Sequence, residues 1–136
     1  MAELYFKDYV ARKGAAERYE IASAGTSGDE SGNPVHPGTR KKLAQIGIGS
    51  EGKRARKLTA ADGDYYDLIV VMDERNVRDA LRLIGAENAG KVRRLMDFTE
   101  EKRDVADPWY TGDFDATFRD VEKGCAALFE YLEKLK

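Results

Sequence analysis

The run Asp67-Leu68-Ile69-Val70-Val71-Met72-Asp73 constrains the fold more than any other stretch of the chain. Apolar residues without alternation, closed at both ends by acids, suit a strand buried on both faces, and such strands belong to parallel sheets covered by helices. The flanks agree. Asn76 to Ile84 carries Val77, Ala80, Leu81 and Ile84 at helical spacing and stops at Gly85. Upstream, Thr59-Ala60-Ala61-Asp62 has the form of a capping box with Asp in the acid position. Met1 to Lys13 reads as a helix closed by Gly14, and Pro37 opens another that places Leu43 and Ile46 on one face and stops at Gly47. Tyr19 to Ala24 and, more weakly, Lys91 to Phe98 read as strands, and Ser27 to His36 as a loop. In the last segment Phe114, Phe118, Val121, Cys125, Leu128, Phe129, Leu132 and Leu135 recur mostly at steps of three or four. They predict one long helix whose apolar stripe packs on the sheet. Alternating strand and helix patterns predict an α/β, three-layer sandwich with a parallel sheet, as a single domain over residues 1–136.

Composition narrows the function. Apolar residues make up 42% of the 136, which supports a core, and 35% charged residues with three prolines argue against a disordered chain. Lys and Arg total 23 against 25 Asp and Glu, a formal charge of −2, so the basic excess of a dedicated nucleic-acid binder is missing. The Leu68 to Met72 run falls far short of the roughly 20 residues a membrane span needs. The N-terminus reads as a helix rather than a secretion signal. These features predict a cytoplasmic protein with neither nucleic acid nor membrane as partner. A single cysteine cannot form an internal disulfide, and a lone His36 excludes a site needing two imidazoles; no metal and no cofactor are expected. His36 reads as a loop or cap residue, and Asp29 with Glu30 as solvated charges in a glycine-rich loop.

Asp107-Pro108-Trp109-Tyr110 is the tetrapeptide with the most chemical content. Proline fixes φ and removes a donor, which favours an extended loop able to hold a carboxyl at a set angle beside two aromatic rings. The same residues also fit a plain turn initiated by Asp-Pro. Three further features accompany them in order: Ser23-Ala24-Gly25-Thr26 after a strand pattern, Arg54-Ala55-Arg56 before a helix cap, and Met72-Asp73-x-x-Asn76 at a strand-to-helix turn.

In that order the motifs resemble the low-molecular-weight protein tyrosine phosphatases, and the resemblance runs over residues 1–136. It implies that Met1-Ala2-Glu3 is the first turn of the helix that follows the family's C-x5-R-[ST]-P phosphate loop. It further implies that Asp107 is the general acid and that Trp109 and Tyr110 flank the substrate ring. Phosphotyrosine hydrolysis through a cysteinyl-phosphate is the implied activity, on a phosphotyrosine-containing protein or a small aryl phosphate.

The 136 residues contain no C-x5-R segment. Cys125 lies on the apolar stripe of the last helix pattern and the sixth residue after it is Tyr131, so it reads as a small core hydrophobe. Lys53 stands where many relatives have a histidine that supports the phosphate loop. The expectation is therefore a phosphatase-like fold without its first strand and phosphate loop, catalytically inactive as it stands. The alternative is a pseudophosphatase acting as a binding or regulatory module. A missing central strand also predicts that Tyr19 to Ala24 pairs directly with Leu68 to Met72 in a three-stranded core, or that the chain self-associates into a homo-oligomer through open strand edges.

Overall fold

The computed structural model describes residues 1–25, 37–49, 56–105 and 114–135. Helix α1 (Ala2–Arg12) is followed by a 3-10 turn (Ala16–Arg18), then α2 (Pro37–Gln45) and α3 (Ala60–Tyr65). Strand β1 (Ile69–Val71), α4 (Glu74–Ile84) and β2 (Val92–Arg94) form a β-α-β unit; a 3-10 turn (Leu95–Phe98) and the long helix α5 (Phe114–Lys134) complete it. β1 and β2 run parallel, with Ile69 opposite Val92, Val70 opposite Arg93 and Val71 opposite Arg94.

Side-chain alternation along β1 builds the layers. Ile69 and Val71 face α4 in a small core with Ala80, Ile84 and Val92, whereas Leu68, Val70 and Met72 face the main core on the other side. That main core gathers Phe6 and Val10 of α1, Leu43 of α2, Leu95 and Met96 of the turn after β2, and Val121 with Leu128 of α5. The α/β three-layer architecture expected from the sequence is present, with helices on both faces of the parallel sheet.

Local chemistry explains where the helices begin and end. The Thr59 hydroxyl accepts from the Asp62 N–H while the Asp62 carboxylate accepts from the Thr59 N–H, which is the predicted reciprocal cap. Arg56 adds two donors to that carboxylate, at 2.9 and 3.2 Å. Its hydrogen bond, against the opposing effect of burial, holds Asp62 below the usual carboxylate range. A lowered folded-state value contributes stability above the unfolded value, and that stability is lost as pH falls through the folded one. Unfolding free energies measured from about pH 5 down to pH 2 should thus drop more steeply for the native chain than for Asp62→Asn.

Six expectations need correction. Tyr19 to Ala24 does not form a strand: Gly25 alone makes an isolated parallel bridge, to Lys57. Side chains hold this segment elsewhere, through Arg18 and Tyr19 on Glu133 of α5 and through Ser23 on Glu3 of α1. The described sheet accordingly has two strands rather than a three-stranded core closed by direct pairing with Leu68 to Met72. β1 meets apolar layers on both faces, yet Val71 is its one buried residue, and among the described residues it is paired along a single edge. Of Lys91 to Phe98 only Val92 to Arg94 is extended, since Lys91 ends a 3-10 turn (Ala86–Lys91); the Asp97 carboxylate then accepts from the Arg94 N–H and guanidinium and bends the chain into a second 3-10 turn. α5 is seated mainly on α1 and on that turn, and the sheet joins through Leu68, Val70 and Met72. Ile46 falls beyond the end of α2 and is 43% exposed, while Leu43 is fully buried. The Ser27 to His36 loop lies outside the described residues.

Candidate active site

Parallel α/β sheets present ligands at the carboxyl ends of their strands, and here that edge is built by Met72, Asp73 and the chain leading out of β2. Asp73 is the N-cap of α4: its carboxylate accepts from the Asn76 N–H at 2.7 Å. The Asn76 side-chain oxygen in turn accepts from the Met72 N–H at 3.4 Å. The Met72-Asp73-x-x-Asn76 motif is therefore a reciprocal brace between the strand end and the helix start.

The segment that precedes Asp107 is fastened to this brace. Val105 is buried and its N–H donates to the Met72 carbonyl at 2.9 Å. Asp104 accepts at one oxygen from the Glu74 N–H, 3.1 Å, and from Arg94 Nη1, 3.0 Å. Arg103 reaches the other way, to Asp120 of α5, with a two-pronged contact of 2.9 and 2.7 Å. Asp120 is 8% exposed, and its carboxylate raises the Arg103 guanidinium further above its ordinary value. For Asp97 burial works to raise the carboxyl, but the Arg94 guanidinium outweighs it and the net shift is downward.

A second hydrogen-bonded group surrounds the first turn of α1. Glu3 is buried and accepts from the Ser23 hydroxyl at 2.6 Å and from Lys7 Nζ at 2.9 Å. The Gly25 N–H donates to the Arg56 carbonyl and the Gly25 carbonyl accepts from Leu58, which brings the Ser23-Ala24-Gly25 motif against Arg56.

Asp107, Trp109 and Tyr110 lie outside the described residues, as do Asp29, Glu30, His36 and Lys53. Arg94, Arg103, Asp104 and Asp120 were not marked by the sequence reading, although a buried acid on an apolar helix stripe calls for a cation partner. Among the described residues no group of three His, Cys, Asp or Glu side chains could hold a metal ion, and no helix is long and apolar enough to cross a membrane. A cleft of about 180 Å³ between Leu68, Lys91, Tyr131 and Leu135 opens where the strands begin, at the opposite end from Asp73 and Asp104.

Cys125 is 1% exposed on the inner face of α5. Burial pushes its thiol up to about 12, and the charge of the chain's α-amino group opposes this only in part. A thiol so protonated is no nucleophile at neutral pH. Alkylating reagents should leave Cys125 unmodified until the protein unfolds, as mass spectrometry of native and denatured samples would show. Cys125→Ser should cost about 1–3 kcal/mol by burying a hydroxyl in an apolar setting.

The model of the low-molecular-weight phosphotyrosine protein phosphatase family matches residues 1–136. The chain belongs to this family. Among relatives of this phosphatase-family chain, YfkJ of Bacillus subtilis, a low-molecular-weight protein-tyrosine-phosphatase, is 36% identical over 138 residues, covering 100% of this chain and 88% of the relative. PtpA of Staphylococcus epidermidis, described by the same words, is 33% identical over 135 residues, covering 98% and 85%. The crystal structure of YfkJ superimposes with a TM-score of 0.95 over 99% of this chain and 86% of the other. A protein tyrosine phosphatase of Entamoeba histolytica, crystallised with Hepes in its active site, has a TM-score of 0.89 at 26% identity, covering 98% and 87%. The phosphatase fold inferred from the sequence motifs is thus the fold of the chain.

Proposed function

We propose that this chain carries the acid-bearing and substrate-flanking part of a phosphotyrosine phosphatase, in one domain of the cytoplasm, without metal or cofactor. In this reading Asp107 is the general acid, and Trp109 and Tyr110 flank the aryl ring of a phosphotyrosine-bearing protein or small aryl phosphate. The supporting observation is that Asp107 follows two residues after Val105, whose N–H is bonded to Met72 at the carboxyl end of β1. In the reaction a thiolate from a Cys-x5-Arg loop attacks phosphorus as the aryl O–P bond breaks, and Asp107 gives its proton to the leaving oxygen. The Asp107 carboxylate then takes a proton from the water that displaces the thiolate.

The thiolate and the arginine of that loop are not in these 136 residues. General acid help of about 10²–10⁴-fold cannot replace a nucleophile and its anion cradle. The purified chain should therefore leave p-nitrophenyl phosphate intact; steady hydrolysis that Asp107→Ala abolishes would refute this. A second reading, a pseudophosphatase that binds without turnover, is favoured by the burial of the one cysteine in the core. Saturable binding of a phosphotyrosine peptide by the unextended chain would support it.

A further inference from the structure

The cleft at the beginning of the strands joins an apolar wall to charges that no neighbouring side chain neutralises. Val92 packs toward α4, so alternation turns Arg93 to the other face of the sheet, opposite Val70, where it lines the cleft with Tyr131 and Leu132 of α5. Its guanidinium stays exposed. Neither it nor the Asp67 carboxylate, which lines the same cleft, has a hydrogen-bond or ion-pair partner among the described residues. Lys91 differs, because its ammonium donates to the Gly63 carbonyl at 2.7 Å. That bond holds the charge in place at the cleft and leaves two donors over.

The wall is anchored in the core. Leu68 and Leu132 pack on the main cluster, and Tyr131 rests on Phe98 with ring centroids 5.0 Å apart. Leu135, the residue after α5, is 66% exposed and extends the wall toward solvent. At about 180 Å³ the space is slightly larger than the roughly 150 Å³ of an apolar cavity that holds one benzene ring. Two cations and one acid give the lining a net charge of +1, which suits a monoanion. A dianionic phosphate would set its second negative charge against Asp67.

We infer that this cleft binds a small carboxylate carrying one apolar ring, with the carboxylate on Arg93 and Lys91 and the ring against Leu68, Leu132 and Leu135. The site lies at the opposite end of the strands from Asp73 and Asp104, and it does not depend on the role of Asp107.

Hydrocinnamate, a phenyl ring on a short carboxylate chain, is the probe, titrated into the full chain and followed by amide shifts in heteronuclear NMR. Saturation with a Kd of about 1 mM is expected for a single ring in an open cleft, with the largest shifts at Leu68, at Lys91 to Arg93 and at Leu132 to Leu135. Phenethylamine, with the same ring and the opposite charge, should bind about tenfold more weakly or worse. Arg93→Glu should weaken hydrocinnamate about tenfold and Arg93→Gln about threefold. Neither change removes a side-chain contact of the fold, since Arg93 has no such partner among the described residues. Asp67→Asn should tighten binding about twofold by removing the opposing charge. Equal affinity for the two probes, unchanged affinity in Arg93→Glu, or shifts gathered away from the cleft would overturn the assignment.

Discussion

Leu95→Ala should lower the unfolding free energy by about 2–5 kcal/mol, the range for a large side chain removed from a core that cannot collapse onto the cavity. Leu95 is 1% exposed, beside fully buried Met96, where the turn after β2 meets α5. The close partner is Gly124 of α5. A methyl placed on Gly124 would sit 2.4 Å from Leu95 Cγ and 2.8 Å from its Cδ2. In a helix interior alanine is favoured over glycine by about 1 kcal/mol, whereas overpacking a tight core costs about 1–3 kcal/mol. Steric cost therefore wins, and Gly124→Ala should destabilise. The double variant is the sharper test, because a methyl at 124 refills part of the space that Leu95→Ala opens. Denaturant unfolding should show the pair to be less damaging than the sum by about 1 kcal/mol. Strict additivity would mean that α5 does not rest on Leu95.

The second large effect concerns Asp107. A chain extended at its N-terminus by a strand and a Cys-x5-Arg-[Ser/Thr]-Pro loop should hydrolyse aryl phosphates, because residues 1–136 match the model of the phosphatase family. In that extended chain Asp107→Asn should lower kcat by about 10²–10⁴-fold with KM little changed, since the proton matters in the transition state rather than in binding. A matching loss from Cys125→Ser at a temperature where both proteins are folded would contradict the account, as that thiol is sealed in the core.

How far the sequence reveals this molecule depends on the range of the interactions. The Thr59 to Asp62 cap, the Pro37 start and the Gly85 stop are set within four residues and were legible. β1 was legible as an apolar strand covered on both faces, but its burial depends on edge partners that its own residues do not specify. Lys91 to Phe98 misled because Asp97 competes for the Arg94 N–H, a local side-chain bond that a hydrophobic pattern does not register. Tyr19 to Ala24 carried a fair strand pattern, yet Glu133 and Glu3, both distant in sequence or on another element, decide where it lies. In the sequence, the Asp-Pro-Trp-Tyr motif and Met72-Asp73-x-x-Asn76 were visible as words, whereas the Arg103–Asp120 ion pair was not. Arg103 and Asp120 are 17 residues apart and share no periodicity. What could have shown it is Asp120 itself, an acid next to Val121 on the buried stripe of α5.

The account stands on Asp107 as the proton donor to the leaving oxygen, and leaving-group dependence tests that directly. In the loop-extended chain, kcat is measured for p-nitrophenyl phosphate and for phenyl phosphate, with Asp107 native and as Asp107→Asn. Phenolate is the poorer leaving group and needs the proton more, so the Asp107→Asn loss should be larger for phenyl phosphate, by about tenfold or more. Equal losses for the two substrates, or no loss for either, would show that Asp107 does not donate that proton.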